Sequence, residues 1–282
     1  MTLWFAENNL SPAPAKQGMT VDGLGARAAG VDVTQSSGKA TAWKNRGSDA
    51  GDWAAPSGME PTYSATGLAV PAGAQPAVVF SGGQLLDALM SLNGNAVTIY
   101  AVLSLVSGNN GKRAISLNKN TADFSDSQCA AILKSSSNTS GVAEIERNGL
   151  IVTGADPITS PCIVRVDFDG TNAHVAVNGG TPVTAAASGL LAPTHMMLGG
   201  YYYGSGNNPV DLWSGPISEV IALYYTPTTD QDQRIVGSLA WKYLLQTSNG
   251  GVLASSYPYA TAAPMTGGII IPRRRPLILM AS

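Results

Sequence analysis

Two stretches of this chain place acidic side chains at the spacing that acid–base chemistry uses. Glu144-Ile-Glu146 and Asp167-Phe-Asp169 each hold carboxylates at alternate positions, which an extended strand turns to one face. Retaining glycoside hydrolysis needs two carboxyl groups about 5–5.5 Å apart. Neither pair has further support. Glu146 runs into Arg147-Asn148-Gly149, and Asp169 abuts a turn at Gly170. Carboxylates are mostly exposed, so both pairs read as solvated strand residues. The histidines, His174 and His195, have no Gly-x-Ser-x-Gly elbow to serve. His174 falls on the polar face of a strand and reads as exposed, while His195 opens a strand beside Met196 and Met197. The sequence has no phosphate loop, dinucleotide fingerprint or zinc spacing. The expectation is a protein that is not an enzyme and carries no cofactor.

Sugar binding fits the residues better. Tyr201, Tyr202, Tyr203, Asn207, Asn208 and Trp213 cluster in or near one Gly/Asn-rich loop. Sugars present apolar faces and hydroxyl rims, which aromatic rings and amide side chains match. The competing reading packs some of these tyrosines in a sheet and spends the asparagines on turns. Asp123 and Asp126 are the candidates for a calcium site, but the spacing of a calcium loop is missing and no metal is expected. Cys129 and Cys162 read as two buried free thiols rather than a disulfide framework.

A different chemistry sits at the C-terminus. Arg273, Arg274 and Arg275 lie between the apolar runs Ile269, Ile270, Ile271 and Leu277, Ile278, Leu279. Terminal tails are commonly disordered. An extended tail without a core of its own gains order by docking, with apolar strands on another chain's sheet edge and arginines on its carboxylates. Nucleic acid is the rival partner. Three arginines give only weak, salt-sensitive affinity, and the net charge of −2 supplies no wider field. No nucleic-acid partner is expected.

The elements that must position these residues follow from composition and punctuation. Of 282 residues only 12% are charged, 44% are apolar, and 32 are Gly and 17 Pro. That is enough apolar material for a core, with a surface of Ser, Thr, Asn and Gly and many turns. It excludes a disordered chain. Met1–Asn9 has no basic stretch leading into an apolar run, so no signal peptide is expected, and no run is long enough to span a membrane. From about Val31, short Val/Ile/Thr-rich segments recur between Gly, Asn, Ser and Pro clusters, the pattern of an all-β sandwich. Ala96–Val106 becomes apolar on both faces and should be a central, doubly covered strand. Cys162–Gly179 alternates strictly and turns at Asp169-Gly170 and Asn178-Gly179, which with Pro182–Ala186 makes three antiparallel strands. Thr228–Leu245 is the one helix, with Thr229 as its cap, Asp230 and Asp232 in its first turn, and an apolar stripe through Ile235, Leu239 and Tyr243. The domain reading is an N-terminal extension over 1–30, a folded unit over 31–246 and an extended tail over 247–282.

Three motifs occur in order. They are Ala40-Thr-Ala-Trp43 with Pro61-Thr-Tyr63 and Pro76-Ala-Val-Val-Phe-Ser-Gly-Gly83; Val164-Arg-Val-Asp-Phe-Asp-Gly170 with Val175-Ala-Val-Asn-Gly179; and Trp213-Ser-Gly-Pro-Ile-Ser-Glu-Val-Ile-Ala-Leu-Tyr224 leading to Leu239-Ala-Trp-Lys-Tyr243. Together they resemble the concanavalin A-like, laminin G-like domains of phage and bacterial type. The resemblance implies a jelly-roll β-sandwich of two antiparallel sheets with one C-terminal helix, which can cover an edge or an end, and extended terminal arms. Glu219 reads as an edge or rim carboxylate. Hydrolases of that fold class carry a Glu-x-Asp-x-x-Glu strand, and this chain departs from it after Glu146.

Two functions follow as expectations. One is a virion structural or display protein of a bacteriophage, as a capsid decoration or a tail or fibre component. It would be anchored through the tail to other virion proteins, form a homo-oligomer, and be extracellular after host lysis. The other is a carbohydrate-binding module that recognises a host surface glycan. A glycoside hydrolase ranks last.

Overall fold

Val97–Leu103 is apolar on both faces, and both are covered. A computed structural model describes residues 32–45, 51–90, 92–106, 111–119, 129–135, 141–158, 160–203 and 208–264, with the short stretches 3–4, 18–19 and 25–27. In chain order the strands begin β1 (Leu3–Trp4), β2 (Gly18–Met19), β3 (Gly25–Arg27), β4 (Val33–Ser36), β5 (Lys39–Trp43), β6 (Trp53–Ala54), β7 (Thr62–Val70), β8 (Gly73–Ser81), β9 (Leu86–Leu89), β10 (Val97–Leu103) and β11 (Arg113–Asn118). They continue as β12 (Ala130–Ser135), β13 (Val142–Arg147), β14 (Leu150–Pro157), β15 (Cys162–Phe168), β16 (Asn172–Val177), β17 (Val183–Ala186), β18 (His195–Leu198), β19 (Tyr201–Tyr203), β20 (Asn208–Val210) and β21 (Ser214–Leu223), then helix α1 (Thr229–Lys242).

The ladders between these strands are antiparallel and fold over as two layers. One layer runs β17-β16-β15-β10-β21-β8-β7. The other runs β4-β5-β6-β9-β18-β11-β12-β13-β14. Lys39 pairs with Thr62 and joins the layers at one corner. Ile99, Val166, Phe168 and Ile217 of the first layer share a core with Trp43, Trp53, Ile115, Met196 and Leu198 of the second. This is the all-β sandwich that the alternating strands predict. Cys129 and Cys162 are buried thiols with no disulfide between them, as the burial tendency of cysteine suggests.

The outer face of the first layer is apolar as well. Tyr100, Val102, Ile163, Ile221 and Leu223 pack with Ile235, Val236, Leu239, Ala240 and Tyr243 of α1. All seven residues of β10 are therefore buried. The helix covers a sheet face rather than an edge or end, because its apolar stripe finds its match there. Each large aliphatic side chain buried in this way contributes about 1.5–3 kcal/mol. Thr228, not Thr229, caps the helix. Its hydroxyl accepts from the Gln231 amide at 3.3 Å, and Gln231 Oε1 accepts from the Thr228 amide at 2.9 Å. Only Thr228 has a glutamine three residues on, so only there can the reciprocal box close.

The rim reading of Glu219 is overturned. It is 6% exposed and accepts from Lys242 Nζ and from the Tyr243 hydroxyl, the latter at 2.7 Å. Its strand lies under the helix, so the carboxylate clamps the last helical turn. Beyond the helix, Leu253 and Ala260 join the same apolar cluster, and Trp241 Nε1 donates to the Tyr259 carbonyl at 2.8 Å. Residues 247–264 thus pack back over α1.

Candidate functional site: a cleft between a hairpin and the helix

The turn end of the β15–β16 hairpin carries charged side chains, Asp167, Asp169 and His174. Asp169 at the turn accepts from the Thr171 amide at 2.8 Å, the Asn172 amide at 2.6 Å and His174 Nε2 at 3.1 Å. Burial opposes the charged form, but these hydrogen bonds outweigh it and hold Asp169 well below the usual carboxylate range. His174 is not a free surface residue, since its Nδ1 also lies 2.8 Å from Thr184 Oγ1.

Asp167 is different. It is 0% exposed, and neither carboxylate oxygen has a well-directed hydrogen bond, although Arg165 Nη2 lies 3.0 Å from Oδ1. Burial pushes its pKa up to about 6, against the pull of Arg165 and His174. The solvated reading of this residue fails because its face of β15 lies beneath the helix side. The same reading fails for Glu144 and Glu146, which are 1% and 9% exposed; Glu144 Oε2 accepts from Thr153 Oγ1 at 3.2 Å.

Between the opposite end of the hairpin, where the Ile163 amide donates to Asn178 Oδ1, and the helix N-terminus opens a cavity of about 330 Å³, within the range of small-molecule sites. Its floor is Ile163, Arg165 and Ala176, and α1 contributes Thr229, Asp232, Gln233 and Val236. Gly179, Gly180, Pro182, Pro227 and Tyr257 complete the walls. Asp232 Oδ1 accepts from the Tyr100 hydroxyl at 2.7 Å, and its Oδ2 is 3.5 Å from Arg165 Nη1. Burial and the Asp232 charge push the Tyr100 phenol well up, which keeps it a donor. Burial disfavours the Arg165 charge, but Asp167 and Asp232 outweigh it and raise its pKa.

One wall depends on a glycine. Asn178 and Gly179 have φ of 53° and 73°, the paired positive values of the turn that Asn-Gly signals. A Cβ on Gly179 would stand 2.3 Å from Tyr257 Cε2. Only glycine lets that ring close the cleft.

The aromatic loop is divided by the fold. Trp213 is fully buried in the core between the layers, so it is withdrawn from the sugar-contacting set. Tyr201 is buried, with the Arg113 guanidinium 3.5 Å from its ring centroid. Tyr202 is half-buried against Leu85 and Met197. Tyr203 is 59% exposed and pairs across a short ladder with exposed Asn208. Asn207, Asp123, Asp126 and the tail residues Ile269–Leu279 lie outside the described residues. His195 Nδ1 is 3.0 Å from Asp87 Oδ1, on the outer face of the second layer. The cleft itself escapes sequence inspection, because Arg165 and Asp232 belong to distant elements. The available signal was polar residues on the outward face of a strand that neighbours a doubly covered one.

No protein-family model matches this sequence, and no curated protein matches it. Solved structures do. A GH54 α-L-arabinofuranosidase soaked with a cyclic sulfate inhibitor aligns with a TM-score of 0.52 at 15% identity, over 70% of this chain and 50% of that one. The heptameric SAP-like pentraxin of Limulus polyphemus gives 0.43 at 17% identity, over 57% of this chain and 80% of that one. The CBM40 of Ruminococcus gnavus IT-sialidase, bound to α2,3-sialyllactose, gives 0.40 at 17% identity, over 49% and 80%. At these identities the likeness is one of fold alone, that of an antiparallel β-sandwich.

Proposed function

We propose that this chain is a carbohydrate-binding module whose sugar lies in the cleft between the β15–β16 hairpin and α1. The lining of that cleft carries the reading. Pro182, Pro227, Val236 and the Tyr257 ring offer apolar surface, while Arg165, Asp232, Gln233 and Thr229 offer donors and acceptors. A pyranose has the same division between C–H faces and hydroxyl rims. Binding without hydrolysis is part of the proposal. Glycoside hydrolysis uses a pair of carboxyl groups, and Asp232 is the single acid among the lining residues, already engaged by Tyr100 and Arg165.

The exposed Tyr203–Asn208 ribbon is the second reading, favoured by the 59% exposure of Tyr203. Glycan-array and calorimetric binding separate the two. Thr229→Trp places a bulky ring at the cleft mouth from an exposed helical position and should abolish binding, with Tyr203→Ala leaving it within about twofold. The reverse pattern moves the site to the ribbon. Retained binding in both variants, or none in the unmodified chain, ends the cleft proposal. Location on a virus particle is proposed on sequence grounds alone.

A further inference from the structure

The charges around the cleft are unequal. Arg165 is the single cation among its lining residues, and it is held between Asp167 at 3.0 Å and Asp232 at 3.5 Å. An incoming carboxylate would have to displace one of them. One more acid stands at the Gly180 wall. Asp156 Oδ2 lies 3.2 Å from where a Cβ on Gly180 would stand. The helix N-terminus adds a partial positive charge. That charge is already met by Asp230 and Asp232 in the first turn and by the Thr228–Gln231 box. What remains for a ligand is an excess of negative charge with carboxylate lone pairs to spare.

Resting on the carbohydrate reading above, we infer that the cleft selects glycans by charge, taking amino sugars with a protonated amine in preference to neutral sugars and rejecting carboxylated ones. The ammonium group sits toward Asp232, whose oxygens have lone pairs beyond the one that accepts from Tyr100. Neutral hydroxyls use the same oxygens without the charge term. A uronic or sialic carboxylate meets Asp232 and finds Arg165 already neutralised.

The test uses the full chain and oligosaccharides of one backbone and linkage, carrying free amines, N-acetylated amines or carboxylates, with the amines protonated. Calorimetry at low salt should rank free amine about tenfold tighter than N-acetyl, a difference of about 1.4 kcal/mol. Carboxylated chains should show no binding. High salt should shrink the gap, and Thr229→Trp should remove binding of every class. Asp232→Asn should bring the free amine down to the level of the N-acetylated chain, with the binding of both weakened. If that variant fails to fold, the salt dependence of the unmodified chain decides. Equal affinity for amine and N-acetyl, or tighter binding of the carboxylated chains that Thr229→Trp abolishes, overturns the charge selection and leaves the carbohydrate reading standing. Failure of all three classes to bind overturns that reading itself.

Discussion

Asp167 is the residue whose setting departs furthest from what its type suggests. A carboxylate with no exposure and no directed hydrogen bond is costly to ionise. The sign of the consequence follows from proton binding. Its folded pKa of about 6 lies above the ordinary 3.8. The folded chain therefore holds this proton more tightly than the unfolded one, and the ionisation weakens the fold as pH rises through that window. Asp169 acts oppositely, since its lowered pKa gives stability above the ordinary range that is lost as pH falls. Asp167→Asn removes the first titration alone. The stability of the variant relative to the unmodified chain should rise between about pH 4 and pH 7, by on the order of 1–3 kcal/mol whatever its fixed offset. Urea unfolding across that range measures it. A flat or falling difference would mean that Arg165 compensates Asp167 fully. A carboxyl resonance of Asp167 titrating near the ordinary value would say the same.

At the scale of elements, α1 both covers β10 and β15 and presents Asp232 and Gln233 to the cleft, so its first turn matters twice. Thr228 is exposed, and its contribution is confined to the capping box. Thr228→Ala should cost about 1 kcal/mol in chemical denaturation and weaken sugar binding, because the frayed turn releases Asp232. Unchanged stability would show that packing alone fixes the helix start. Most elements could be read from residues. The apolar run at 97–103, the alternation over 162–177 and the Ile235–Leu239–Tyr243 stripe each carry their own period. The cap lies one residue before Thr229 because Gln231 stands three residues after Thr228 and closes the reciprocal box there. The site was not legible. Charged residues on β15 looked like ordinary outward strand residues, and Asp232 looked like a helix-dipole acid. Nothing local says that the helix folds back over that strand, because the contact is made by apolar residues beside them. Trp213 misled for the converse reason. An aromatic in a Gly-rich stretch reads as loop, yet the ring is fully buried between the layers.

The whole molecule is three layers, sheet on sheet with the helix outside, and the segment after the helix completes the third. Leu253 and Ala260 are 2% and 1% exposed, and both belong to the cluster formed by α1 and the first layer. The Tyr257 ring lies over Gly179 and walls the cleft. Chains ended at different points should therefore behave differently. Removing residues 265–282 keeps every named member of the apolar clusters in the chain, and the expected outcome is that melting temperature and sugar binding both persist. If the Arg273–Arg275 segment anchors a display protein, incorporation into purified particles is what that deletion abolishes. Ending the chain at residue 246 strips Leu253, Ala260 and the tyrosine wall. The lost burial is on the order of 3–5 kcal/mol, which for a domain of this size lowers the melting temperature by roughly 10 °C. Sugar binding should be lost with it. Should the shorter chain melt with the longer one, residues 247–264 would be a passive wrapping, and the cleft would have to hold its ligand without Tyr257. The two truncations thus separate what residues 247–264 give to the fold and the cleft from what residues 265–282 give to incorporation.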